Sequence, residues 1–186
     1  VPFAGYLPWL FAREIFAGLL QGLGGFSSGE MTEPFTLYNP AWEPAARLGL
    51  LICYEGIFPE LARKSVAHGA QVLINISNDA WYNRTSAPIQ HLYTSALRAV
   101  EQGRWLARCT NTGITALVDP LGRMDALGGI TDGSGLFISA WKNGEVVVLD
   151  KTNIFHHIQP LLPALAILLL LPIICPVGFT RLNRSR

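Results

Sequence analysis

Two short clusters hold the side chains best suited to chemistry. Cys53-Tyr54-Glu55 sets a thiol two residues from a carboxylate. A thiol becomes a strong nucleophile once it is deprotonated beside a cation or base. The same cysteine also suits a plain filler of space, because free cysteines are among the most buried residues. Glu55 must share that crevice or find a cation of its own. In Asn78-Asp79-Ala80-Trp81-Tyr82 an amide and a carboxylate stand beside two large aromatics. Such groups can orient a substrate carbonyl and wall an apolar chain. They equally suit an Asx turn, in which Asn and Asp bond their own backbone. Thr110-Asn111-Thr112-Gly113 fits the rim of a site or a simple turn. His156-His157 are neighbours and point apart on a helix, which does not make a metal pair. Gly22-Leu23-Gly24-Gly25 lacks the strand before it and the Lys-Ser/Thr after it that a phosphate loop needs.

Elements must bring these clusters together. Leu48–Cys53 is an apolar run of the kind buried on both faces of a sheet, with Cys53 at its carboxyl end, where ligands meet α/β sheets. A helix follows, with Pro59 in its first turn and Gly69 beyond its last. Gln71–Ile76 is a second strand, which places the Asn78 cluster on the same sheet edge. Ile89, Leu92, Ala96, Leu97 and Val100 fall at helical spacing and predict one apolar face, with Arg98 and Glu101 paired on that helix. Trp105–Cys109 and Ile114–Val118 are further strands, and Asp119-Pro120-Leu121-Gly122 is a tight turn. Gly135–Trp141 and Glu145–Leu149 read as a hairpin about Asn143-Gly144. The sum is a mixed sheet with helices against it. Tyr6–Gln21, with Phe3, Trp9, Phe11 and Phe16 on or near it, is an apolar helix suited to covering a greasy cleft.

Of the 186 residues, 50% are hydrophobic and 15% charged, and the net charge is +1. That excludes disorder and a basic field for nucleic acid. Three cysteines, one of them Cys175 in the most apolar stretch, do not make a disulfide framework. Pro160–Thr180 carries no charge and is long enough for the roughly 30 Å of a bilayer core, so a membrane span is expected. The tail beyond it holds Arg181, Arg184 and Arg186 and is expected on the cytoplasmic side.

LLICYEGIFPELAR, LINISNDAWYN, IQH and LRAVEQGRWLARCTNTGITALVDPLGR together resemble the nitrilase, or carbon-nitrogen hydrolase, superfamily. The opening VPFAGYLP and the terminal apolar run resemble its membrane-bound branch, which acylates bacterial lipoproteins. The resemblance implies an α/β fold, a nitrilase-like α-β-β-α sandwich whose N-terminal part is missing, followed by one transmembrane helix. Residues 1–155 would be the C-terminal part of the catalytic domain, 158–180 the span and 181–186 a basic tail. It implies a Glu-Lys-Cys triad with Cys53 as nucleophile, the Tyr54 backbone N–H as oxyanion donor and Glu55 as a supporting acid. Asn78, Asp79, Trp81 and Tyr82 would bind substrate, with no cofactor or metal. The donor would be a phospholipid, and the acceptor the N-terminal amine of a diacylglyceryl-cysteine apolipoprotein. The setting would be the bacterial inner membrane, with the catalytic domain on the periplasmic side. The family's glutamate and lysine fall upstream of Val1, and Lys64, Lys142 and Lys151 do not occupy the matching place. Ala4-Gly5 stands where the family commonly has Gly-Glu. These 186 residues alone are therefore expected to be inactive and not to fold stably. A soluble amidase of the same superfamily and a non-catalytic membrane-anchored module are the alternatives.

Overall fold

The structure is a computed structural model that describes residues 33–170, all within the unit Thr32–Arg186. The predicted Tyr6–Gln21 helix, the Gly22–Gly25 run, Cys175, residues 171–180 of the predicted span and the basic tail lie outside the described residues.

Six strands form one sheet in chain order: β1 (Phe35–Tyr38), β2 (Pro44–Ile52), β3 (Val72–Ser77), β4 (Trp105–Thr110), β5 (Ala116–Val118) and β6 (Met124–Ala126). β2, β3 and β4 run parallel, and the other neighbours are antiparallel. The expected mixed sheet is present, and its direction changes follow the connections. Parallel pairs need a crossover, supplied by α1 (Pro59–Ala67) and α2 (Ala87–Gln102), whereas short turns suffice for the antiparallel pairs.

Both helices begin and end as their punctuation requires. Each has a proline in its first turn. Gly69 (φ +95°) and Gly103 (φ +60°) adopt the left-handed conformation that ends a helix. α1 lies so close to β2 that a Cβ on Gly49 would stand 2.3 Å from Ser65 Oγ and 2.9 Å from Ala70 Cβ. Leu51, Leu73, Leu106 and Val118 of the sheet meet Ala62, Val66, Ala96 and Ala99 of the helices in the core.

Three expectations change. β2 is not buried on both faces: Gly49 and Leu51 are buried under the helices, but Leu50 and Ile52 on the other face are 38% and 65% exposed. α2 keeps only part of its predicted face, because Leu92 and Ala96 are buried and Ile89 packs on the core while Leu97 and Val100 are exposed and His91, Ser95 and Gln102 go inside instead. The polar groups go inside because they have partners there. The hairpin of residues 135–149 does not form, and residues 138–153 contain no strand. A lone two-stranded hairpin is marginal in water. Here β6, reached through the predicted Asp119–Gly122 turn, takes the sheet edge instead. The irregular segment is tied down by Lys142 to Asp125, and by Arg104, which donates to the carbonyls of Asp150 (2.9 Å) and Lys151 (2.6 Å).

α3 (Ile154–Ile158) then leads through a single turn (Gln159–Leu161) into helix over 162–170, where Pro163 sits in the first turn and every residue is exposed. Among the described residues no helix is long and apolar enough to cross a membrane.

Candidate active site

Cys53 is the first residue after β2, and the chain turns abruptly there, with φ at +51°. That left-handed conformation is uncommon outside glycine. Residues Cys53–Ile57 wind a single tight turn held from three sides. The Glu55 carboxylate accepts the Ile52 N–H at 2.7 Å, the reach-back half of a capping box. Arg98, paired with Glu101 at 2.7 Å as predicted, donates to the Ile57 carbonyl at 2.7 Å. Gly56 packs against the third side, where a Cβ would stand 2.9 Å from Ser95 Oγ and 3.0 Å from Asn75 Nδ2.

Under this turn lies a network that joins β3, β4 and α2. Asn75 Nδ2 donates to the carbonyls of Leu51 (2.8 Å) and Cys53 (3.1 Å). His91 Nε2 also lies 3.3 Å from the Cys53 carbonyl, and its Nδ1 is 3.0 Å from Asp79 Oδ1. Arg108, 2% exposed, reaches Asp79 Oδ2 at 2.7 Å and Ser95 Oγ at 3.2 Å, and it bonds Asn75 Oδ1. Burial alone would push the Asp79 carboxyl up. Bonds from His91 and Ser77 and the charge of Arg108 outweigh it and hold the group below its ordinary value.

The thiol is partly buried, with Ser77 Oγ 3.4 Å from its sulfur. Ser77 has one hydroxyl hydrogen, and its 2.6 Å bond to Asp79 Oδ1 claims it. The same hydroxyl thus faces both the sulfur and the carboxylate and links Cys53 to Asp79. Next to the turn a cleft of about 160 Å³ opens, with Tyr54, Tyr82, Gln90 and His91 in its walls. The His91 ring meets Tyr54 at 5.7 Å and the edge of Tyr82 at 6.1 Å. The Tyr82 hydroxyl is pushed up to about 12, first by burial and then by Tyr54, Cys53 and Asp79.

The residues singled out from sequence thus gather on one sheet edge but do different things. Asn78 is exposed and its Oδ1 accepts the Ala80 N–H at 3.1 Å, which is the Asx turn. Asp79 is fully buried, with both oxygens engaged. Trp81 is 88% exposed, and Tyr82 walls the cleft. Glu55 is exposed and serves the backbone of the turn. Gly113 abuts Asp79, since a Cβ there would stand 2.2 Å from Oδ2. Sequence reasoning left Asn75, Ser77, His91 and Arg108 without a role. For Asn75, Ser77 and Arg108 the signal was a polar residue within an apolar strand, as in LINIS and WLARC, where only a partnered group is stable, whereas His91 on α2 carries no such mark. His156 is buried with Nδ1 2.6 Å from Gln102 Oε1. Among the described residues no group of three or more His, Cys, Asp or Glu is placed to hold a metal.

Residues 26–138 match the carbon-nitrogen hydrolase family model. The chain is 41% identical over 157 residues to an apolipoprotein N-acyltransferase of Geobacter metallireducens, covering 84% of this chain and 28% of that one. It is 39% identical over 128 residues to an apolipoprotein N-acyltransferase of Azotobacter vinelandii, covering 67% and 23%. An amidase structure from Nesterenkonia sp. aligns at 31% identity over 55% of this chain and 39% of that one, with a TM-score of 0.42. The chain spans about a quarter of the length of the curated relatives it matches.

Proposed function

The chain belongs to the carbon-nitrogen hydrolase family, and on that premise we propose that it carries the nucleophile of an N-acyltransferase acting on bacterial lipoproteins. The observation that carries this reading is Cys53, a thiol on a left-handed turn at the carboxyl end of a parallel strand, followed by Tyr54, which lines an aromatic cleft. The Cys53 thiolate attacks the ester carbonyl of a phospholipid, and the oxyanion collapses. The lysophospholipid leaves as an alkoxide that takes up a proton, and the acyl chain stays on sulfur as a thioester. The N-terminal amine of a diacylglyceryl-cysteine apolipoprotein then attacks the thioester. An amide forms, the amine gives up a proton and the thiolate is released. Splitting the transfer lets two bulky lipids be handled one after the other. The Tyr54 N–H, on the peptide just after the nucleophile, is the natural oxyanion donor.

Tyr82 and Trp81 supply the apolar walls for the acyl chain. Asn78, exposed at the edge, is the polar contact for substrate. Asp79 acts from beneath, through Ser77 and His91. The exposed leucines of 162–170 suit contact with lipid. They support a bacterial inner-membrane setting, and the basic residues Arg181, Arg184 and Arg186 support a cytoplasmic C-terminus with the catalytic domain on the periplasmic side.

The full-length protein incubated with phospholipid is expected to gain one acyl-sized mass on Cys53. Addition of a diacylglyceryl-cysteine peptide discharges it as an amide. The reading fails if no adduct forms, if the adduct survives Cys53→Ser, or if water is the only acyl acceptor, as in an amidase.

A further inference from the structure

The Cys53 carbonyl and the Tyr54 N–H belong to one planar trans peptide, so fixing the first fixes the direction of the second. Two side chains grip that carbonyl: Asn75 Nδ2 at 3.1 Å and His91 Nε2 at 3.3 Å. A carbonyl oxygen only accepts, so His91 grips it in the form that carries a hydrogen on Nε2. Its Nδ1 faces Asp79 Oδ1 at 3.0 Å and Arg108 Nη2 at 3.1 Å. Arg108 also bonds Asn75 Oδ1, leaving the amide nitrogen of Asn75 to face the two carbonyls. The Arg108–Asp79 pair thus sets the orientation of both gripping side chains at once. None of the four side chains is more than 5% exposed.

We infer that His91 and Asn75 are positioning residues which, backed by Arg108 and Asp79, hold the Cys53–Tyr54 peptide so that its N–H meets the oxyanion. Bonds to the carbonyl also polarise the N–H on the far side of the same peptide. This rests on the reading of Cys53 as nucleophile and of Tyr54 N–H as oxyanion donor, and it adds what aims that donor.

Two reactions of the same thiol separate aiming from mere structure. Attack on an ester builds an oxyanion, whereas alkylation by iodoacetamide forms a sulfur–carbon bond and expels iodide without one. In the full-length protein, His91→Phe is expected to slow thioester formation about 10- to 100-fold, the scale of a small misplacement in an active site. It is expected to leave KM for phospholipid and the alkylation rate within about twofold of the unaltered protein, a range far below the misplacement effect. His91→Gln, whose amide nitrogen can replace Nε2, recovers most of the acylation rate. Should His91→Phe not fold, Asn75→Asp, which removes the donor at similar volume, is read in the same way. The inference is overturned if acylation and alkylation fall in parallel, if only KM changes, or if Gln fails to restore the rate. Loss of thioester in Cys53→Ser together with an unaffected His91→Phe would overturn it while leaving the proposed function standing.

Discussion

Asp79 and Arg108 form a fully buried ion pair, 2.7 Å apart, and removing one partner strands the other. Asp79→Asn is therefore expected to cost about 3–5 kcal/mol of stability, checked by the midpoint of urea unfolding. The same carboxyl gives stability a pH dependence of known sign. Its value in the fold lies below that of the unfolded chain, so the fold gains from it above the unfolded value of about 3.9 and loses that gain as the pH falls through the folded value. Acid titration of the unaltered protein and of Asp79→Asn should therefore converge only well below pH 4, about the ordinary carboxylate value. Cys53 was legible in the sequence because thiol, carboxylate and strand end coincide. His91 and Arg108 were not, because nothing in a linear pattern says which polar residue points inward. Only the third strand and the crossover helix, folded together, give each its partner.

Individual elements were read best where punctuation and periodicity agree. Pro59 and Gly69 bracket α1, and Asp119–Gly122 makes its turn, as expected from their residues. The Leu97 and Val100 side of α2 and the hairpin at 135–149 differ from expectation because both depend on what lies opposite. Gly49 marks where β2 and α1 nearly touch, so Gly49→Ala is expected to cost about 1–3 kcal/mol, seen as a lower Tm. At the other end of the domain a strap is buttoned to α2. Asn153 Nδ2 donates to the Val100 carbonyl at 2.6 Å, and His156, Gln102 and Gln159 bond in series. Burial first, then the charges of His157, Arg63 and Arg104, hold His156 below its ordinary value. Its contribution is complete above the unfolded value of about 6.5 and is lost as the pH falls through the folded one. Amide protection factors across residues 150–161 are therefore expected to drop as the pH falls from neutrality through the folded value, which lies below the ordinary value of about 6.5. His156→Gln should flatten the change.

For the molecule as a whole, the apolar composition divides between a buried face of the sheet, an opposite face with Leu50, Ile52 and Ile76 exposed, and the leucines of 162–170. A continuous apolar run in sequence does not tell these destinations apart, which is why β2 was expected to be covered on both sides. The core beneath the helices is small and dense with alanine, and Leu73, fully buried at its centre, is expected to cost about 2–5 kcal/mol on truncation to alanine, read from urea unfolding. The network under Cys53 draws on four separate stretches of chain: the end of β2, the β3 strand and its following loop, α2, and β4. Parallel pairing makes each of these contacts distant in sequence, and such contacts form late because their loops must close first. The turn at Cys53 consequently lacks the Arg108 end of its network until β4 has docked. In refolding time courses the distinctive reactivity of this thiol should therefore arrive with the final phase, which makes a single cysteine a clock for completion of the sheet.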